Sequence, residues 1–151
     1  MPLQLVATGQ PAAPPDAWDY SLRLPHHPVS PGIARATARV ILGRHDLREL
    51  IEVAELLTSE LATNCYVHTR GPARLRLAHD GGVLRVSLWD TSPRLRSRTR
   101  TDARTESGTG VRPNGRGLVI VGAYADDWGW YALDEQRLGV GGKIVWCELR
   151  Q

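Results

Sequence analysis

The chain has 151 residues, 42% of them hydrophobic and 23% charged, with a formal net charge of +3. That length suits one domain able to fold without metal or disulfide staples, and the composition, with 2 cysteines, excludes a disordered chain, a collagen-like repeat and a disulfide framework. No run reaches the ~20 apolar residues of a membrane span, and the first 17 residues lack the basic-then-apolar plan of a secretory signal, so a reducing, cytoplasmic compartment is expected.

Residues 1–17 hold little periodic hydrophobicity and several prolines (Pro2, Pro11, Pro14, Pro15), which predicts a flexible tail before a domain spanning 18–151. Trp18, Tyr20, Leu22 and Leu24 alternate with polar residues, as a half-buried strand does, and Pro25 and Pro28 then break the chain. Ser30-Pro31 predicts a helix start, with Ile33, Ala36, Val40 and Ile41 as its apolar stripe and Gly43 as its stop. Asp46 and Glu49 have capping-box spacing. They introduce a long periodic series, Leu47, Leu50, Ile51, Ala54, Leu57, Leu61 and Cys65, which Gly71-Pro72 ends.

Two alternating runs flank Asp80-Gly81-Gly82, a strong hairpin signal, and predict one apolar face turned to the helices. Thr91 to Asn114 is nearly devoid of apolar residues and reads as a mobile loop. Gly115 to Ala125 reads as a buried helix. Trp128–Leu133 and Ile144–Leu149 read as strands joined by the glycine-rich stretch Gly139–Lys143. The order predicts an α/β two-layer sandwich: a mixed, mostly antiparallel sheet covered on one face by about three helices.

Lys143 is the sole lysine; every other basic side chain except histidine is arginine. Arginines 94, 96, 98, 100, 104 and 112 fall in the loop against two acids, Asp102 and Glu106, so the basicity is local. A nucleic-acid binder spreads its basic footprint over a face and interleaves aromatics with it. This loop does neither, which makes that function class a weak candidate.

Four groups of residues could carry chemistry. Glu60 and Asn64 stand at i and i+4 on one helix face, where an acid and an amide could hold a hydrated Mg²⁺ or activate a hydroxyl; they could equally be an exposed polar pair. His68, one turn on, reads by itself as a surface or capping residue. Asp90 ends a strand, where its carboxylate could accept from an exocyclic amine such as that of adenine, or could close an Asx turn with Thr91, Ser92 and Pro93. Gly115-Arg116-Gly117-Leu118 precedes a helix, so backbone N–H groups could approach a phosphate there, or the glycines could mark a plain turn. Gly141-Gly142-Lys143 enters the last strand and reads in isolation as a hairpin turn.

In this order and spacing, the four groups resemble the GHKL (histidine-kinase-like) ATPase family over about Pro28 to Leu149. Thr58-Ser59-Glu60-Leu61-Ala62-Thr63-Asn64 looks like the family's N-box. The chain is most similar to small stand-alone bacterial regulators, the anti-sigma factor serine/threonine kinases and their actinobacterial relatives. The resemblance implies ATP and Mg²⁺ as cofactors, Glu60 as general base and Asn64 as Mg²⁺ ligand. It also implies Asp90 as acceptor of the adenine amine and Gly115, Arg116, Gly117 and Leu118 at the phosphate-binding end of a loop that closes over the nucleotide. Gly142 and Lys143 would line the adenine side, and His68 is grouped with the ATP-binding set. The chain departs from the family where the usual D-x-G-x-G is Asp90-Thr91-Ser92-Pro93-Arg94, and where Gly-Gly-Thr is Gly-Gly-Lys. The activity implied is Mg²⁺-dependent phosphorylation of a protein serine or threonine. The implied client is an anti-sigma factor antagonist or a sigma factor, with a homodimer as one open arrangement. The alternative is a regulator that binds its protein partner without catalysis, with or without nucleotide.

Overall fold

The computed structural model describes residues 16–95 and 117–151. Residues 1–15 of the predicted 1–17 tail, most of the 91–114 loop, and Gly115 and Arg116 lie outside them. Five strands form one sheet: β1 (Trp18–Leu24), β2 (Ala73–Asp80), β3 (Val83–Asp90), β4 (Asp127–Ala132) and β5 (Lys143–Arg150). Their order is β1-β2-β3-β5-β4, and every pairing is antiparallel, so no parallel pair is mixed in among the described residues. Helices α1 (Ser30–Arg44), α2 (Ile51–His68) and α3 (Gly117–Tyr124) pack on one face, and a short α4 (Glu135–Leu138) precedes β5. None of the described helices is long and apolar enough to cross a membrane.

The hairpin forms as its alternation requires. In β2 and β3, Leu75, Leu77, Leu84, Val86 and Leu88 are buried, while Arg74, Arg76 and Arg85 face out. Gly81 and Gly82, at φ 56° and 79°, make the turn, with two successive positive φ angles that suit a tight hairpin. The core lies between this face and α2, which buries Ala54, Leu57, Leu61 and Cys65 as its periodicity predicts.

Several local expectations are corrected. Helix α1 buries Ser30, Ala34, Ala38 and Leu42, whereas Ile33 is 46% and Val40 61% exposed. Small alanines let α1 lie close against α2, so side-chain size rather than hydrophobicity chose the inner face. Of the predicted stripe, Ile33, Ala36 and Val40 face solvent, while Ile41 is partly buried against the core. Ser30 does not cap its helix; its hydroxyl donates to the Pro25 carbonyl. The capping box is also absent. Asp46 takes the left-handed region at φ 56°, the segment Arg48–Leu50 is a 3-10 turn, and Glu49 accepts instead from Gln151. Helix α2 ends before Gly71, at His68, where Thr69 is extended and its hydroxyl donates to the Cys65 carbonyl. Helix α3 is only half-buried: Leu118 and Val121 enter the core while Val119 and Tyr124 face water.

Among the described residues, no helix covers the second face of the sheet. Register sets Arg23, Arg74, Trp89, Ile144 and Tyr131 in one row across it, so basic and aromatic residues far apart in sequence become neighbours. Arg85 lies over the Trp146 ring at 4.4 Å.

Candidate functional site

The sheet brings the predicted residues to one end of the molecule. Asp90 is the last residue of β3 and Lys143 the first of β5, and antiparallel register sets them directly opposite each other. Asp90 is 2% and Lys143 4% exposed. The Lys143 ammonium donates to both carboxylate oxygens of Asp90, at 2.8 Å to Oδ1 and 2.7 Å to Oδ2. The Ser92 N–H also donates to Oδ1 at 2.9 Å, so the Asx turn that the sequence offered as an alternative is formed. A buried ion pair is tolerated only with good geometry and its remaining valences satisfied, and both conditions are met here.

The backbone helps to fix this pair. Gly142 stands at φ 92°, and a Cβ built on it would lie 1.9 Å from the Asp90 carbonyl oxygen. Only glycine lets the chain enter β5 this close to the end of β3. The Leu133 N–H donates to the Gly142 carbonyl at 2.9 Å, which ties the end of β4 to the same point.

Around the pair, Leu61, Asn64, Cys65, His68, Leu95 and Val145 complete a cavity of about 20 Å³. That is room for about one water, against the several hundred Å³ of a typical ligand pocket. Burial first, and the neighbouring negative charge of Asp90 second, push the Cys65 thiol far above its ordinary range. Cys147 is pushed up to about 12, by burial first and Glu148 second. The thiolate is the reactive form, so neither cysteine should react with Ellman's reagent at pH 8 in the folded protein, and both should react in guanidinium. A thiol reacting at the rate of a free cysteine before unfolding would contradict this burial.

At the other end of the site, α2 presents Glu60 and Asn64, both half-buried at the edge of the core stripe. Their carboxylate and amide converge on the first described residue of α3. A Cβ on Gly117 would stand 3.1 Å from both Asn64 terminal atoms and 3.2 Å from Glu60 Oε2. Leu118 is 2% exposed and belongs to the core. Glu60, Asn64, Asp90, Gly117, Gly142 and Lys143 are therefore brought to one side of the fold, with His68 on the cavity wall. The sequence reading missed the pairing of Lys143 with Asp90. Its signal was the placement of the sole lysine at the mouth of a strand, but only register reveals what stands opposite.

The nucleotide implied by the resemblance can be tested against this arrangement. At the Glu60–Asn64 end the donor set suits Mg²⁺, which takes oxygen ligands and usually completes its shell with phosphate and water. At the base end the residues do not fit. The carboxylate that would accept an exocyclic amine already holds an ammonium and an amide, and the remaining volume admits no purine. As arranged, the base end of the site does not accept a purine, while the Glu60–Asn64 end keeps a donor set for Mg²⁺.

A search of the curated proteins finds no match. The family model of the histidine kinase-like ATPase domain matches residues 27–146, from just before α1 into β5. That span includes both ends of the site and all of the elements between them, and the chain belongs to the histidine kinase-like ATPase domain family.

Proposed function

We propose that this chain is a regulatory protein that holds a protein client, an anti-sigma factor antagonist or a sigma factor, without transferring phosphate to it. The observation that carries this reading is the base end of the site, where Asp90 spends both carboxylate oxygens on Lys143. A regulator on this fold with its nucleotide end closed works through its surface. The outward stripe of α1 supplies one: Ile33 and Val40 share a helix face, Val29 caps the same helix, and all three are exposed.

A second reading, the Mg²⁺-dependent serine/threonine kinase with Glu60 as base and Asn64 on the metal, is favoured by one observation. Glu60 and Asn64 keep their convergence on Gly117. That reading requires Lys143 to leave Asp90.

Incubation with radiolabelled ATP, Mg²⁺ and a recombinant antagonist, followed by capture, separates the two. The client should be retained equally with and without ATP, should carry no label, and should be retained as well by Glu60→Gln. Changing Ile33 and Val40 together to glutamate should release it without lowering the melting temperature. Label on the client that disappears in Glu60→Gln would overturn the docking reading and establish the kinase.

A further inference from the structure

We propose that Lys143 is an internal ligand: its ammonium occupies the place of an exocyclic amine, and this one side chain is what keeps an amine-bearing heterocycle out of the pocket. The inference rests on the docking reading above and names the residue that closes the site.

Three observations carry it. Asp90 and Lys143 are both nearly inaccessible, so the pair does not lie at a surface where the lysine could swing into water at little cost. The ammonium also lies 3.4 Å from the Ser92 carbonyl, so it sits among acceptors on two residues of the same turn. Finally, the walls beyond the pair include Leu61, Cys65 and Val145, all buried and apolar or weakly polar, with Leu95, Asn64 and His68 completing them. A mostly apolar recess with a single carboxylate acceptor at its base can recognise the amine of a heterocycle, and here it recognises the chain's own lysine. Removing the side chain beyond Cβ deletes three methylenes and the ammonium. That is the volume and charge of propylammonium, and it leaves a carboxylate that keeps, among the described residues, the Ser92 N–H and the Cys65 thiol.

The test uses the full chain with Lys143→Ala, read by thermal melting and by calorimetry without any activity measurement. Propylammonium should raise the melting temperature of Lys143→Ala by several degrees and leave wild type unchanged, while tetramethylammonium, which has no N–H to donate, should do nothing to either. Adenosine should bind Lys143→Ala at least ~10-fold more tightly than wild type. It should also bind the variant at least ~10-fold more tightly than inosine, which lacks the exocyclic amine. Should Lys143→Ala fail to fold, Asp90→Asn/Lys143→Ala removes both charges and keeps an acceptor oxygen for the same adenosine–inosine comparison. Wild type binding adenosine or ATP as tightly as the variant, or a variant blind to the difference between adenosine and inosine, would overturn the proposal. Those outcomes are distinct from failure of the docking reading, which shows as label on the client that Glu60→Gln abolishes.

Discussion

Lys143→Met alone should lower the melting temperature by roughly 10–15 °C, and Asp90→Asn/Lys143→Met should recover most of it. Wild type meets the large cost of burying two charges with two short hydrogen bonds between them and a third from Ser92. Methionine fills the lysine's space but leaves the carboxylate buried with one backbone donor and the Cys65 thiol beside it. Removing one partner of a buried pair costs about 3–5 kcal/mol, whereas replacing the pair together is often neutral. For a chain of this size each kcal/mol moves the melting temperature by about 2–4 °C. Asparagine at 90 keeps an acceptor for the Ser92 N–H, so the double variant retains the turn. Thermal melts of the four proteins form a double-mutant cycle. A coupling energy near zero would mean that the pair does not exist in solution.

Gly142→Ala is the second large effect, with an expected loss of at least ~3 kcal/mol and a raised susceptibility to proteolysis. Two costs add. The backbone at φ 92° lies where L side chains rarely go, a strain of about 1–3 kcal/mol. The new Cβ would also stand 1.9 Å from the Asp90 carbonyl oxygen, so β3 and β5 must part where the ion pair sits. Gly139→Ala is the control. It shares the positive φ, at 70°, but nothing lies within 4 Å of its Cβ, so it should cost only about 1 kcal/mol. Equal losses at 139 and 142 would show that conformation alone decides, and that the approach of β5 to Asp90 is not tight.

The sequence yielded most of the fold because its signals were periodic. Alternation at Leu75–Leu77 and Leu84–Leu88 named the inner face of the hairpin, and the long leucine series named the buried side of α2. It misplaced the inner face of α1 because hydrophobic weight favoured Ile33 and Val40, while close packing against α2 selected Ala34 and Ala38. It proposed a cap at Asp46 from spacing alone, where the backbone takes a left-handed turn instead. In the site, Glu60 and Asn64 were readable from i, i+4 spacing, because both lie on one helix. The Asp90–Lys143 pair was not. The two are separated by 53 positions and meet only through the register of β3 against β5, which no local pattern encodes.

That pair is open to one direct measurement, because Lys143 is the only lysine in the chain. Treatment of the folded protein with an amine-acylating reagent, followed by peptide mapping, reports the accessibility of that single ammonium. The Lys143 peptide should stay unmodified in the native protein, with or without millimolar ATP and Mg²⁺, and should be acylated fully in denaturant. Native acylation at the rate of an exposed lysine, or acylation switched on by ATP, would contradict a base site closed by the chain's own side chain.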